Sequence, residues 1–169
     1  MDKIVKISQQ ITQGMGYLHH RGIIHKDLKT KNIFLENGHA IISDFGLVNV
    51  AQKLCVNTRY AQNTTSFVIW LRYLAPEIMR SLNFHAIENE KLPFTKSSDI
   101  FAFGTVWFEL LTSDLPWKNE HPEAVIWKVG KGNVIYIRLL TRSILTRSFV
   151  LFLFLIDVTV LSRRALRGS

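Results

Sequence analysis

Cysteine is almost missing from this chain of 169 residues. Cys55 stands alone, which excludes an internal disulfide framework and fits a reducing compartment. Long uncharged apolar runs are missing too. The strongest, from Ser148 to Leu161, is 14 residues long and carries Asp157, whereas a spanning helix needs ~20 residues without such a charge. No transmembrane segment is expected, although the Arg-rich tail around that run could lie on a membrane surface as a basic interfacial helix. The opening residues, Met1-Asp2-Lys3-Ile4, hold no apolar run of signal-peptide length. Acidic residues are scarce in one region only. Residues 134–169 carry six Arg, no Lys and the single acid Asp157, against 15 Lys and Arg and 12 acids in residues 1–133. The net charge of +8 therefore belongs mostly to the tail. A near-neutral body argues against nucleic acid as a partner, whatever the overall pI.

What is present is a body with enough apolar residues, 47% of the chain, to build one core. It surrounds one compact polar stretch, His25-Lys26-Asp27-Leu28-Lys29-Thr30-Lys31-Asn32, with Asp44-Phe45-Gly46 twelve residues beyond Asn32. An acid, a lysine two places on and an amide three further are followed by a second acid opening a Phe-Gly turn. Phosphoryl transfer uses such parts: a carboxylate near the attacking hydroxyl, and an amide and an acid that hold metal. The alternative is a surface loop with accidental polar spacing.

Around that stretch the periodicities predict local structure. Ile4, Ile7, Ile11, Met15 and Leu18 recur at spacings of three and four, predicting a helix over residues 3–20. Gly14 and Gly16 weaken it by roughly 1 kcal/mol each relative to Ala, and Arg21-Gly22 ends it. Ile33-Phe34-Leu35 and Ala40-Ile41-Ile42, joined through Asn37-Gly38, predict a hairpin, because Asn-Gly accepts the positive φ angles of a type I′ turn. That hairpin would bring Asn32 and Asp44 together. Residues 47–74 have weak periodicity and read as a long functional loop, with Thr58, Thr64, Thr65 and Ser66 as hydroxyls where a phosphate could order it. The bland reading of these four is solvated loop residues. Thr95-Lys96-Ser97-Ser98 offers caps for a helix that is apolar nearly all round from Asp99 to Leu111, and hence a buried one. His121-Pro122-Glu123 starts a shorter helix through Trp127 to Gly130. The sequence leaves open whether Trp127 is core or a partner-facing anchor.

Together these pieces resemble the catalytic loop, metal-binding turn, activation segment (closed by Ala75-Pro76-Glu77) and central helix of a eukaryotic protein kinase. The fold so implied is mainly α with a small β-hairpin: the C-terminal, large lobe of the kinase fold, without its small lobe or last helices. Residues 1–133 would form this partial domain. Residues 134–169 match no kinase helix and read as a non-matching, non-native carboxyl end whose run FVLFLFLI is an aggregation hazard if exposed. The resemblance implies ATP and Mg²⁺ as cofactors. Asp27 would orient and deprotonate the substrate hydroxyl, and Lys29 would neutralise charge on the transferring phosphate. Asn32 and Asp44 would hold magnesium, Phe34 would lie beneath the adenine ring, and Asp99 would brace the loop through backbone amides.

One departure narrows the likeness. The kinase pattern His-Arg-Asp reads His25-Lys26-Asp27, and Lys does not reproduce the planar bidentate fork of Arg. Combined with Tyr73-Leu74-Ala75-Pro76-Glu77, Leu92-Pro93-Phe94-Thr95-Lys96, Phe103-Gly104-Thr105-Val106-Trp107-Phe108-Glu109-Leu110 and Ile126-Trp127-Lys128-Val129-Gly130, this resembles the kinase suppressor of Ras family. That family comprises Raf-related scaffolds with little or no kinase activity. The likeness implies ATP binding, Raf-like and MEK-type protein kinases as partners, and Ras/MAP kinase signalling from the cytoplasm with recruitment to the plasma membrane. As a fragment without a Gly-rich loop or small-lobe lysine, the chain alone is expected to be inactive. A fragment of an active serine/threonine kinase is the alternative, kept open by intact Asp27, Asn32 and Asp44.

Overall fold

A computed structural model of the chain describes residues 2–46, 64–82 and 92–132, all within one unit, Met1–Val134. Cys55, Thr58 and the tail from 134 to 169, with the expected domain boundary and apolar run, lie outside the described residues. The order is α1 (Asp2–His20), a 3-10 turn (Thr30–Asn32), β1 (Ile33–Glu36), β2 (His39–Ile42), α2 (Thr64–Leu71), α3 (Pro76–Arg80), α4 (Lys96–Thr112) and α5 (Pro122–Gly130). The architecture is mainly helical with one antiparallel hairpin, as expected.

Helix α1 buries the stripe Ile7, Ile11, Met15 and Leu18. Gly14, expected to weaken the helix, has a packing reason: a Cβ there would stand 2.8 Å from Cδ1 of Ile42, so a larger residue would push the Ile42 side chain of β2 aside. The Gln10 side chain adds a polar tie, donating to the Gly38 carbonyl (3.2 Å) and accepting from the Ala40 amide (2.8 Å). The hairpin pairs Ile33 with Ile42 and Glu36 with His39 across Asn37 and Gly38, which take φ of 50° and 78° as a type I′ turn demands. Its apolar residues do not all turn inward. Phe34, Leu35 and Ile41 are exposed.

The segment from residue 47 to 74 is not the uninterrupted loop that its weak periodicity suggests. Thr64–Leu71 is helical, and Trp70, Leu71, Tyr73, Leu74 and Ala75 are all buried. The polar character that predicted a loop belongs to its first part, whereas the apolar residues at its end are drawn into a cluster with Ile78, Met79, Val125 and Val129. Tertiary burial overrides a weak local signal there. Of the four loop hydroxyls, Thr58 lies outside the described residues, and only the backbone of Thr64, Thr65 and Ser66 is placed, in α2.

Helix α4 begins with a reciprocal capping box. The Ser98 amide donates to Thr95 Oγ1 (3.2 Å), and the Thr95 amide donates to Ser98 Oγ (2.9 Å). Its all-apolar sequence predicts burial throughout, but only the first half achieves it. Ser98, Asp99 and Ala102 to Val106 are buried, whereas Trp107 to Leu111 are half-buried. Arg72 connects this core to the α4–α5 connection. Its buried guanidinium donates to the carbonyls of Val68 (2.5 Å), Trp117 (3.0 Å), Lys118 (3.4 Å) and Glu120 (3.4 Å).

Candidate active site

The polar stretch forms a loop between α1 and the hairpin, and its shape is set from below by α4. Asp99, 2% exposed, accepts from the backbone amides of His25 (2.8 Å) and Lys26 (2.9 Å) through its two carboxylate oxygens. Lys26 has φ 70°, a left-handed conformation costing a non-glycine residue roughly 1–2 kcal/mol. The charge-assisted bond from its amide offsets that cost. His19, at the end of α1, bonds the same Asp99 oxygen at 2.8 Å. The buried carboxylate thus has three partners, as a charge in a core requires. Sequence reading anticipated the amides but missed His19, whose only signal was its place in the last turn of α1.

Within the loop, Asp27 is 9% exposed. Lys29 Nζ lies 2.7 Å from its Oδ2, and Asn32 Nδ2 donates to its carbonyl oxygen (2.9 Å) and, more weakly, to Oδ2 (3.4 Å). Three of the five expected site residues therefore meet around one carboxylate. The His25 ring lies beneath them, buried, with Nδ1 accepting from the Asp27 amide (3.3 Å), which leaves the proton of the neutral ring on Nε2. Burial holds its pKa below the ordinary histidine value. Its own backbone, the carboxylates of Asp99 and Asp27 and the Ser43 backbone oppose that shift without overcoming it.

The hairpin carries Asp44 back towards Asn32. The Ser43 amide donates to the Asn32 carbonyl (2.9 Å) and the Gly46 amide to the His25 carbonyl (3.0 Å), so both ends of the Asp44 turn are tied to the loop. Asp44 has φ 57° and an exposed side chain. No cluster of three or more His, Cys, Asp or Glu occurs among the described residues. The pair Asn32 and Asp44 nevertheless suits magnesium, which takes few protein oxygens and keeps waters and phosphate oxygens. With its Nδ2 engaged by Asp27, Asn32 would offer Oδ1, and the Asp44 turn is tied to the same loop through the Ser43 amide. Phe34 is 54% exposed, as an apolar surface beneath a planar ring must be and a strand-core residue is not.

A second network ties the loop to the segment before α3. Tyr73 donates its hydroxyl to Glu109 Oε2 of α4 (2.5 Å) and lies 3.4 Å from Thr30 Oγ1. Burial and the Glu109 carboxylate raise the tyrosine pKa far above its usual value, so it stays protonated and donating. No sequence periodicity predicts this contact, which joins residues 43 and 36 positions apart.

The arrangement of a carboxylate held by a lysine and an amide, a hairpin returning a second acid, and a loop braced by a buried aspartate defines a class. The chain belongs to the protein kinase domain family, whose model matches residues 1–147. Members of that family in general use ATP and Mg²⁺. Among individual proteins, it is similar to human kinase suppressor of Ras 2, 46% identical over 136 residues that make up 78% of this chain and 14% of the relative. It is also similar to kinase suppressor of Ras A of Caenorhabditis elegans (38% over 130 residues, 75% of this chain, 17% of the relative). A third relative is the RAF proto-oncogene serine/threonine-protein kinase of Xenopus laevis (36% over 137 residues, 80% and 20%). The chain thus spans between 14% and 20% of the length of these relatives.

Proposed function

We propose that this chain is the large-lobe part of a kinase-suppressor-of-Ras-like domain that binds ATP and acts as a scaffold for Raf-like and MEK-type kinases, with weak or no phosphoryl transfer. The observation that carries the reading is Lys26, which takes the place of the arginine in the kinase pattern. Its backbone is held in the strained conformation by Asp99, but its ammonium is a point charge, not a fork that can clasp a phosphorylated activation segment. The higher identity to human kinase suppressor of Ras 2 (46%) than to the Raf kinase of Xenopus laevis (36%) supports it. Asn32, Asp44 and the exposed Phe34 would hold the nucleotide and its magnesium, which supplies charge neutralisation at the phosphates. The exposed Trp127 face of α5 would meet a partner kinase. Such a protein would work in the cytoplasm, with recruitment to the plasma membrane during Ras signalling.

A second reading, an active serine/threonine kinase, is favoured by the Asp27, Lys29 and Asn32 constellation, which has the parts for deprotonating a hydroxyl. Radiolabelled phosphate transfer by the full-length protein, measured beside MEK binding, separates the two. The scaffold reading expects MEK binding that survives Asp27→Asn and no transfer attributable to Asp27. Substrate phosphorylation abolished by Asp27→Asn, and indifferent to loss of MEK binding, would sink it.

A further inference from the structure

Helix α5 presents two faces. Val125 and Val129 are buried in the apolar cluster, whereas Trp127 is 64% exposed, with the Lys131 ammonium 4.1 Å from its ring centroid. Apolar burial holds a helix against a core but is non-directional, so it fixes neither where α5 starts nor how it is rotated. Directional bonds can, and at the entrance to α5 they lead to one side chain. The carbonyls of Trp117, Lys118 and Glu120 accept from the Arg72 guanidinium (3.0, 3.4 and 3.4 Å), which also donates to the Val68 carbonyl of α2 (2.5 Å). The same short connection then grips α5 through its side chains. Glu120 accepts from Lys128 Nζ (2.5 Å), and that ammonium lies 5.1 Å from the centroid of the Trp117 ring.

We infer that Arg72 is a positioning residue for the outward face of α5: its guanidinium fixes the α4–α5 connection to the end of α2, so that the placement of Trp127 follows that of α2. The inference rests on the reading that the Trp127 face meets a partner kinase, and deepens it by naming what sets that face. The chemistry of Arg72 suits this role better than core filling. It is 6% exposed, its four acceptors are carbonyls rather than carboxylates, and its Nε finds no partner among the described residues. A cation buried in this way is costly, and an apolar side chain of similar volume would fill the space without that cost. What an apolar side chain lacks is a planar fork of donors in fixed directions, which here joins segments 45 to 48 positions apart. The fork also starts from a fixed point. The Arg72 carbonyl accepts from Thr105 Oγ1 of α4 (3.2 Å), and Leu71 and Tyr73 on either side are buried.

Hydrogen exchange on the full chain, read by mass spectrometry, separates positioning from general support of the core. In Arg72→Met, the amides of residues 116–130 should exchange at least about 10-fold faster under native conditions, while those of α1 change by less than about 2-fold. Unchanged exchange over residues 116–130 overturns the inference. If Arg72→Met accelerates α1 as well, Arg72→Lys takes its place, because it keeps the charge and loses the fork. Equal factors in α1 and in residues 116–130 of that variant overturn the inference just as well, since a residue that only supports the whole core would give them. In the full-length protein, Arg72→Met should weaken binding of a MEK-type kinase at least about 10-fold. Full binding in Arg72→Met beside loss of binding in Trp127→Ala overturns Arg72 as the residue that sets this face. Binding indifferent to Trp127→Ala counts instead against the partner-facing reading of α5, whereas the exchange rates judge Arg72 alone.

Discussion

The polar loop from His25 to Asn32 and the β-hairpin adjoin at Asn32, yet they are held in opposite ways. The loop is fixed by buried polar bonds: Asp99 takes two amides and His19, and Asp27 takes Lys29 and Asn32. The hairpin is fixed by its own ladder, a Gln10 tie and one close approach to Gly14, and it leaves Phe34, Leu35, Ile41 and Phe45 largely in the open. A buried carboxylate with several donors has few acceptable arrangements, so it specifies geometry. An exposed hairpin face specifies little by itself and is available for covering by something else. The loop around Asp27 is thus buried and tightly bonded, and the hairpin face that would receive a nucleotide is open.

The sharpest way to break this contrast is to remove the brace. Asp99→Ala leaves two buried amides and His19 without their acceptor, and should cost about 3–5 kcal/mol in urea unfolding, enough to unfold a marginal domain. A loss below 1 kcal/mol would show that the loop is held by something else. Next in size, Leu71→Ala should cost about 2–4 kcal/mol, because Leu71 is fully buried in the cluster joining α2, α3 and α5. A surface-like value would return the end of the 47–74 segment to the open loop that sequence alone suggests.

Smaller and pH-dependent is the contribution of His25. Its pKa in the folded chain lies below the ordinary value of 6.5, so the unfolded chain takes up the proton first as pH falls. Stability from this residue is complete above about pH 6.5, and is lost progressively as pH drops below that value towards the folded one. His25→Gln, compared with the unmodified chain in urea titrations from pH 7.5 to 5, should flatten that part of the profile. An equal slope in both would exclude His25 as its source. The smallest effect on stability belongs to the open side. Asp44→Asn should change unfolding free energy by no more than ~0.5 kcal/mol, while weakening magnesium-dependent nucleotide binding by the full-length protein at least tenfold. A stability loss as large as that of Asp99→Ala would erase the distinction between the two sides.

Much of this was legible from the residues. The stripe of α1, the Asn37-Gly38 turn and the Thr95–Ser98 cap are local patterns, and each forms where the pattern stands. Asp27, Lys29 and Asn32 lie within six residues of one another, and their meeting needs only a tight loop. The sequence misjudged the end of the 47–74 segment, because Trp70, Leu71 and Leu74 are buried against partners up to 59 positions away, from Trp70 to Val129. It also overstated the burial of α4. An apolar helix is buried only as far as neighbours exist to cover it.

The sequence by itself determined the class of the chain, since an ordered set of polar residues and turns is a chemical requirement written in residue types and spacings. Only the tertiary structure decided access. The His19 partner of Asp99, the Tyr73–Glu109 bond and the seat of Asp99 beneath the loop arise from segments far apart in the chain. Their meeting is chosen by burial and hydrogen-bond satisfaction over the whole core, and no local pattern encodes it.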